Sequence, residues 1–412
     1  FSLLGEPEGA EFFSRMSVAS HGAERDTGHT GNFFNLLWSL PGVAQSGPQA
    51  SGAWMEEFGA WYFDLARRWD GSFRHQGPPE PTPDSYDGWD ASGAYLLAYA
   101  LPLRKLRLTG KRPGALAPLE LETARSLLRD GRGWDNKDRT SFYDGLDTEE
   151  LLGRLGSWSP TVRERAAMAL GRRGEDVSEA LIGLLEASDL HARYGACRAL
   201  KQQRGRASAA VPALLDAMDA DDLWLRVLAA EALAGIGEPA RAAVPKMLVR
   251  LTESDPVGDP RGMEQRYMCF SLFNRRDGLI GRSLEGVDRE LLLDAVRAGL
   301  QNEDGRARGS IGSVYTNLTY EEIEPLLPAI HRAIVEPAPS GIMFAHAIRM
   351  AGLELFTRYR ISEGIELLAD YVRNQKQHAS EKRIVEILEM LEQYGAHAQR
   401  VVPRLEATAS FF

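Results

Sequence analysis

The chain has 412 residues, a mass of 45.5 kDa, 44% hydrophobic and 26% charged residues, and a formal net charge of −10. These values exclude wholesale disorder and collagen-like fibres, and they allow about two to four ordinary domains or one extended array. The acidic balance excludes a strongly basic nucleic-acid footprint, and no run reaches the ~20 apolar residues of a membrane-spanning helix.

The chain opens at Phe1 rather than Met, so the sequence is read as processed, trimmed or part of something longer. Residues 1–112 are rich in aromatics, with Trp38, Trp54, Trp61, Trp69 and Trp89 among them. A dense polar run, Ser20 to Gly31, carries His21, Glu24, Arg25, Asp26 and His29 on a glycine-rich stretch. Two imidazoles beside carboxylates suit general acid–base work. The spacing matches no zinc signature, and the plainer reading is a solvated loop. Thr30 is placed to cap a helix running to Ser39 and closed by Pro41. Ser51 is placed to cap one from Ala53 to Arg68.

A second polar cluster follows: Asp70, His75, Tyr86, Asp87 and Asp90, flanked by Trp69 and Trp89. Aromatic faces beside two carboxylates suit a sugar-binding cleft, with Trp69, Tyr86 and Trp89 as binding residues and the acids as catalytic candidates. The plainer reading makes Asp87 and Asp90 helix caps and the two tryptophans core residues. A helix from Ala91 towards Leu108 comes next, interrupted by Pro102. Trp69-Asp70-Gly71-Ser72-Phe73 followed by Asp90-Ala91-Ser92-Gly93-Ala94-Tyr95 resembles the repeat unit of α/α-toroids, the barrels of the terpene cyclase and prenyltransferase class. That resemblance covers about 28–110 and implies a helical region belonging to a larger barrel. Residues 113–146, with Pro113, Pro118 and a polar run from Arg132 to Arg139, read as a link containing one short helix, Leu119 to Leu128.

From 147 onward an internal repeat sets the organisation. Arg163, Arg193 and Arg226 stand 30 and 33 residues apart, and Leu170, Leu200 and Leu233 keep the same spacing. Other helices lie between: 178–187, 209–218 and 242–252, the last two carrying Val211-Pro212 and Val244-Pro245. Proline suits the first turn of a helix, where its missing N–H had no partner anyway. One amphipathic helix pair cannot bury its own apolar surface, whereas stacked pairs can. The apolar-Arg…Ala…Ala-Leu second helix and the Val-Pro-x-Leu first helix resemble HEAT repeats. Helices continue at about 264–274, 288–300, 305–318, 320–335, 341–359, 362–374, 380–394 and 398–408, making six or seven pairs over 147–412. Joined to a toroid-like region, this resembles uncharacterised bacterial proteins of that combination, which implies a secreted or periplasmic setting.

The two cysteines, Cys197 and Cys269, are too few for a disulfide framework or a cysteine-rich zinc site and read as small core residues. The repeated arginines read as repeat architecture bonding a neighbouring loop carboxylate such as Asp189 or Asp222, rather than as a basic ladder. No phosphate-binding glycine loop and no nucleophile-elbow motif occurs, so neither a cofactor nor a metal is expected. The fold class expected is therefore all-α, an α-solenoid of HEAT-like pairs behind a toroid-like helical region. The expected function is a protein-interaction scaffold with a protein partner and no nucleic acid. The alternative is an enzyme acting on a glycan or small polar substrate among the N-terminal aromatics.

Overall fold

In the computed structural model, residues 1–19, 33–74, 90–100, 103, 116–131, 142–336, 345–375 and 380–409 are described. Among them the chain is helical throughout, as its 3.6-residue periodicity requires. The only extended pairings are two isolated bridges, Arg67 with Phe73 and Arg74 with Asp90. The chain divides into two compact units, Phe1–Leu170 and Gly171–Phe412.

The first unit contains α1 (Pro7–Ala19), α2 (Phe33–Gln45), α3 (Pro48–Gly59), α4 (Ser92–Ala100), α5 (Leu121–Asp130), α6 (Thr148–Arg154) and most of α7 (Pro160–Arg173). Val18, Leu40, Val43, Trp54, Tyr95 and Leu127 meet in one buried core. Helix α2 runs through Pro41 to Gln45 instead of closing there. Leu40, Val43 and Ala44, buried on either side of the proline, hold the helix together across the lost hydrogen bond. Helix α3 starts at Pro48, not near Ser51. Gly47, at φ 100°, turns the chain in, and Pro48 occupies the first turn. Ser51 lies inside the helix and returns its hydroxyl to the Gly47 carbonyl. Helix α5 lies within the stretch read as a link, yet Ala124, Leu127 and Leu128 belong to the same core. The end of α5 is fixed through Asp130. Its carboxylate pairs with Arg154 at 2.9 Å, and its carbonyl accepts from Tyr143 Oη at 3.0 Å and from Arg165 at 2.8 Å.

The second unit is the solenoid. First helices α8 (Ser178–Leu185), α10 (Val211–Ala217), α12 (Val244–Thr252) and α14 (Arg289–Gly299) alternate with second helices α9 (Leu190–Gln203), α11 (Leu223–Ile236), α13 (Met263–Phe273) and α15 (Gly305–Tyr315). The expected helix at 320–335 is split into α16 (Tyr320–Ile323) and α17 (Leu327–Val335) by a 3-10 turn carrying Pro325. Then come α18 (His346–Arg358), α19 (Glu363–Arg373), α20 (Glu381–Glu392) and α21 (Val402–Ala409). Second helices stack on one another: α9 on α11, α11 on α13, α13 on α15 and α15 on α18. The approach is close. A Cβ at Gly235 would sit 2.6 Å from Lys201 Cγ and 2.9 Å from its carbonyl oxygen, so only glycine fits where α11 crosses α9.

One device recurs at the start of the second helices. Asp189, Asp222 and Asp304 cap α9, α11 and α15 through backbone N–H groups. Four residues later an arginine turns back to the loop before its own helix. Arg193 donates to the Leu185 carbonyl, Arg226 to those of Ala220 and Asp221, and Arg308 to that of Asn302. Arg163, in the first unit, does the same with Ser157 and Trp158. The arginines are thus part of the repeat, as expected, but their partners are loop carbonyls; Asp189 and Asp222 are helix caps. Successive second helices are also tied side to side. Tyr194 Oη donates to Asp222 at 2.7 Å, Arg226 pairs with Glu264 at 2.8 Å and Arg266 with Asp304 at 3.1 Å.

Candidate functional site

Most of the N-terminal candidates, His21, Asp26, His29, His75, Tyr86, Asp87 and Trp89, lie outside the described residues. Trp69, Asp70 and Asp90 are described. Trp69 is 98% exposed, so it is not a core aromatic; Phe63, Phe73 and Tyr95 fill that role, with Phe73 stacked on Tyr95 at 5.4 Å between centroids. Asp70 accepts from the Ser72 hydroxyl at 2.6 Å and its N–H at 2.9 Å. Asp90 accepts from Ser92 N–H at 3.0 Å at the start of α4. These bonds, with Arg68 nearby, hold both carboxyls below the usual carboxylate range. Both are therefore ionised hydrogen-bond acceptors at neutral pH, and proton donation would need a carboxyl held above that range. Among the described residues, no group of His, Cys, Asp and Glu is placed to hold a metal ion.

The largest groove lies in the second unit, between α13, α15 and α18, with a volume of about 1030 Å³. Its floor is made of small residues. Gly309 and Gly312 let α15 approach α18: a Cβ at Gly312 would be 2.8 Å from that of Ala351. Ser310 and Ser313 turn their hydroxyls onto the Cys269 and Phe273 carbonyls of α13, which binds the two helices and keeps the floor shallow. Its rim is basic. Arg306 stands at the start of α15, and Arg275, Arg276 and Arg282 stand on the loop after α13, with Glu354 of α18 the carboxylate of the lining. Burial and the neighbouring Glu386 push the Glu354 carboxyl above its usual range, which lowers its negative charge further.

The loop from Asn274 to Glu285 is tightly built. Asn274 Oδ1 accepts from the N–H groups of Arg276 and Asp277. Gly278 and Gly281 pass so close to Asn274 that a Cβ at Gly281 would be 2.1 Å from its carbonyl oxygen. Arg241 reaches across from the preceding repeat and donates to the carbonyls of Leu279, Ser283 and Glu285. Arg275 and Arg276 are exposed, and among the described residues they enter no ion pair; Arg282 donates to the Arg275 carbonyl. A second groove of about 670 Å³ shares Phe270, Asn274, Arg276 and Arg282 with the first and extends it towards Lys201 and Glu231. An aromatic strip leads into both. Trp224, 43% exposed, meets Tyr267 edge-on at 5.9 Å, and Tyr267 meets Phe270 at 5.8 Å.

The sequence signal for this groove was present but unread. Three arginines fall within eight residues, Arg275 to Arg282, in an acidic chain. The fourth, Arg306, joins them only through the stacking of α15 on α13.

Two family models match the chain. One, described as a domain of unknown function (DUF6288), covers residues 1–110. The other, HEAT repeats, covers residues 148–234. No curated protein matches the chain. The HEAT match and the stacked helix pairs establish a HEAT-like, all-α solenoid. No helix among the described residues is long and apolar enough to cross a membrane.

Proposed function

We propose that this chain is a protein-interaction scaffold whose working surface is the face formed by the second helices of the solenoid. The observation that carries this reading is the strip of Trp224, Tyr267 and Phe270 running into the arginine-rimmed groove across neighbouring repeats. Tryptophan, tyrosine and arginine are the residues that dominate binding energy at protein interfaces. Stacked repeats offer long, continuous surfaces of the kind that hold extended partners. In this reading residues 1–112 form a helical module of the α/α-toroid kind, 113–146 lead out of it and 147–412 carry the repeats.

The test is a photo-crosslinking amino acid placed at Trp224, in the full-length protein, with Val249 of α12 as the control. Val249 is 44% exposed, on a first helix. After irradiation in an extract of the source cells, position 224 yields a discrete protein adduct and position 249 does not. Excess wild-type chain abolishes the adduct, and excess W224A/Y267A chain leaves it. Adducts of equal yield at both positions, or none at 224, would refute the scaffold reading.

A further inference from the structure

We infer that the groove between α13, α15 and α18 takes an extended acidic segment of a protein partner, held at its two ends by the loop arginines and by Arg306. The inference rests on the scaffold reading and adds the chemistry of what is bound.

Charge is the first argument. The chain as a whole is acidic, at −10. Four guanidiniums nevertheless surround one groove whose lining holds a single carboxylate, Glu354. Like charges gathered this way repel one another, and an anionic occupant relieves that repulsion. The repeat arginines, by contrast, are satisfied by loop carbonyls and by Glu264 or Asp304. The loop arginines Arg275 and Arg276 are left in water without an ion pair among the described residues.

Rigidity is the second. Asn274, the close-packed Gly278 and Gly281, and the three carbonyl bonds of Arg241 fix the loop before any partner arrives. A preorganised loop loses little conformational entropy on binding.

Length is the third. The groove follows α15 from Arg306 to Asn317, which is about 16 Å at ~1.5 Å per residue. About five residues of extended chain span that distance at ~3.3 Å each. Acidic residues about four or five positions apart would therefore meet Arg306 at one end and Arg275, Arg276 and Arg282 at the other. A flat floor of glycine, serine and alanine admits a backbone, and Phe270 at the side receives an apolar side chain between the acids.

A nucleic acid fits less well. Glu231, Glu238, Asp277 and Glu354 are interspersed along the two connected grooves and would repel a continuous phosphate backbone. A peptide places its carboxylates selectively and avoids them.

The experiment measures fluorescence anisotropy on the full-length protein. The probe is a fluorescein-labelled peptide, Gly-Glu-Glu-Leu-Gly-Phe-Glu-Glu-Gly. It is compared with the same peptide carrying glutamine for every glutamate, and with a labelled nine-nucleotide oligothymidylate. The acidic peptide binds, the glutamine peptide binds at least about tenfold more weakly, and the oligonucleotide binds no better than the glutamine peptide. R275E/R276E and the milder R275Q/R276Q weaken the acidic peptide, the first by at least about tenfold, while circular dichroism stays that of the wild type. R373E, an exposed arginine on the first helix α19, leaves binding unchanged. Failure of the acidic peptide to bind, equal binding of the glutamine peptide, indifference to both loop variants, or tighter binding of the oligonucleotide each overturns the inference. The Trp224 crosslink separates the two readings. If it persists at full yield in R275E/R276E, the acidic-segment inference fails while the scaffold stands; if it is absent from the wild type, the scaffold reading fails.

Discussion

From Ser178 to Thr252 the solenoid turns its recurring arginines inward; from Asn274 to Glu285 it turns them outward. In the first stretch Arg193 and Arg226 recur at one helical position, and each is half-buried against the loop before its own helix. In the second, Arg275, Arg276 and Arg282 follow no period, sit on a loop and face solvent. The same side chain thus holds the fold in one place and is left available in the other. Periodicity separates the two. A residue repeated in register answers a packing need that every repeat shares, whereas a residue that breaks the register answers to something specific.

Substitutions in the regular stretch should be costly. Ala229 is fully buried in the middle of α11. Ala229→Glu overpacks the helix stack and buries an unpaired charge, so urea denaturation should show a loss of about 3 kcal/mol or more. An unchanged midpoint would mean that the repeat helices do not pack as described. Glu264 tests the tie between repeats. It accepts from Arg226 and from Arg250, each at 2.8 Å, with its side chain only 15% exposed. Glu264→Ala leaves two guanidiniums facing one another, and a loss of about 2–3 kcal/mol is expected. A thermal melt within error of the wild type would show that the tie contributes nothing.

Cys197 supplies a pH test of the same packing. It is wholly buried in α9, and burial pushes its thiol from 9.0 up to about 12. A raised value in the folded state means that the folded form keeps its proton while the unfolded chain loses it. This contribution to stability is whole below pH 9.0 and is lost as pH rises from there towards about 12. By pH 10 the loss is about 1.4 kcal/mol, and Cys197→Ala should remove it from the difference between unfolding curves at pH 8 and pH 10. Identical alkaline slopes in variant and wild type would contradict the burial. Asp304 carries a smaller effect. It caps α15 through the N–H groups of Arg306 and Ala307 and also pairs with Arg266. Asp304→Ala should lower stability by about 1–2 kcal/mol, and Asp304→Asn, which keeps the cap, should recover most of it. Equal losses in the two variants would assign the effect to the ion pair alone.

Much of this architecture is written in local chemistry. Val211-Pro212 and Val244-Pro245 mark first helices because proline fits a first turn, and they start α10 and α12. The 30- and 33-residue spacing exposed the repeat as far as Arg226. The next copy of the device, Asp304 to Arg308, went unread because α13 starts from Gly262 instead of an aspartate. The inserted loop before α14 also shifts the spacing. In the first unit the errors were of another kind. Pro41 and Ser51 were read from propensity alone, and the burial of Leu40 and the Gly47-Pro48 start outweighed it. Trp69 was assigned to the core on its size, whereas the shorter Phe73 occupies the place beside Tyr95. The groove could not be read whole from sequence, since its two ends are brought together only by the stacking of α13, α15 and α18.

The contrast between inward and outward arginines is tested most directly by comparing Arg226→Ala with Arg276→Ala in one set of urea unfolding curves. Arg226 loses two loop carbonyls and Glu264 as partners, so its variant should be less stable by about 2–3 kcal/mol. Arg276, exposed at the groove, should fall within about 0.5 kcal/mol of the wild type. Equal losses in the two variants, or a larger loss at Arg276, would contradict the division between arginines that hold the solenoid together and arginines held ready for a partner.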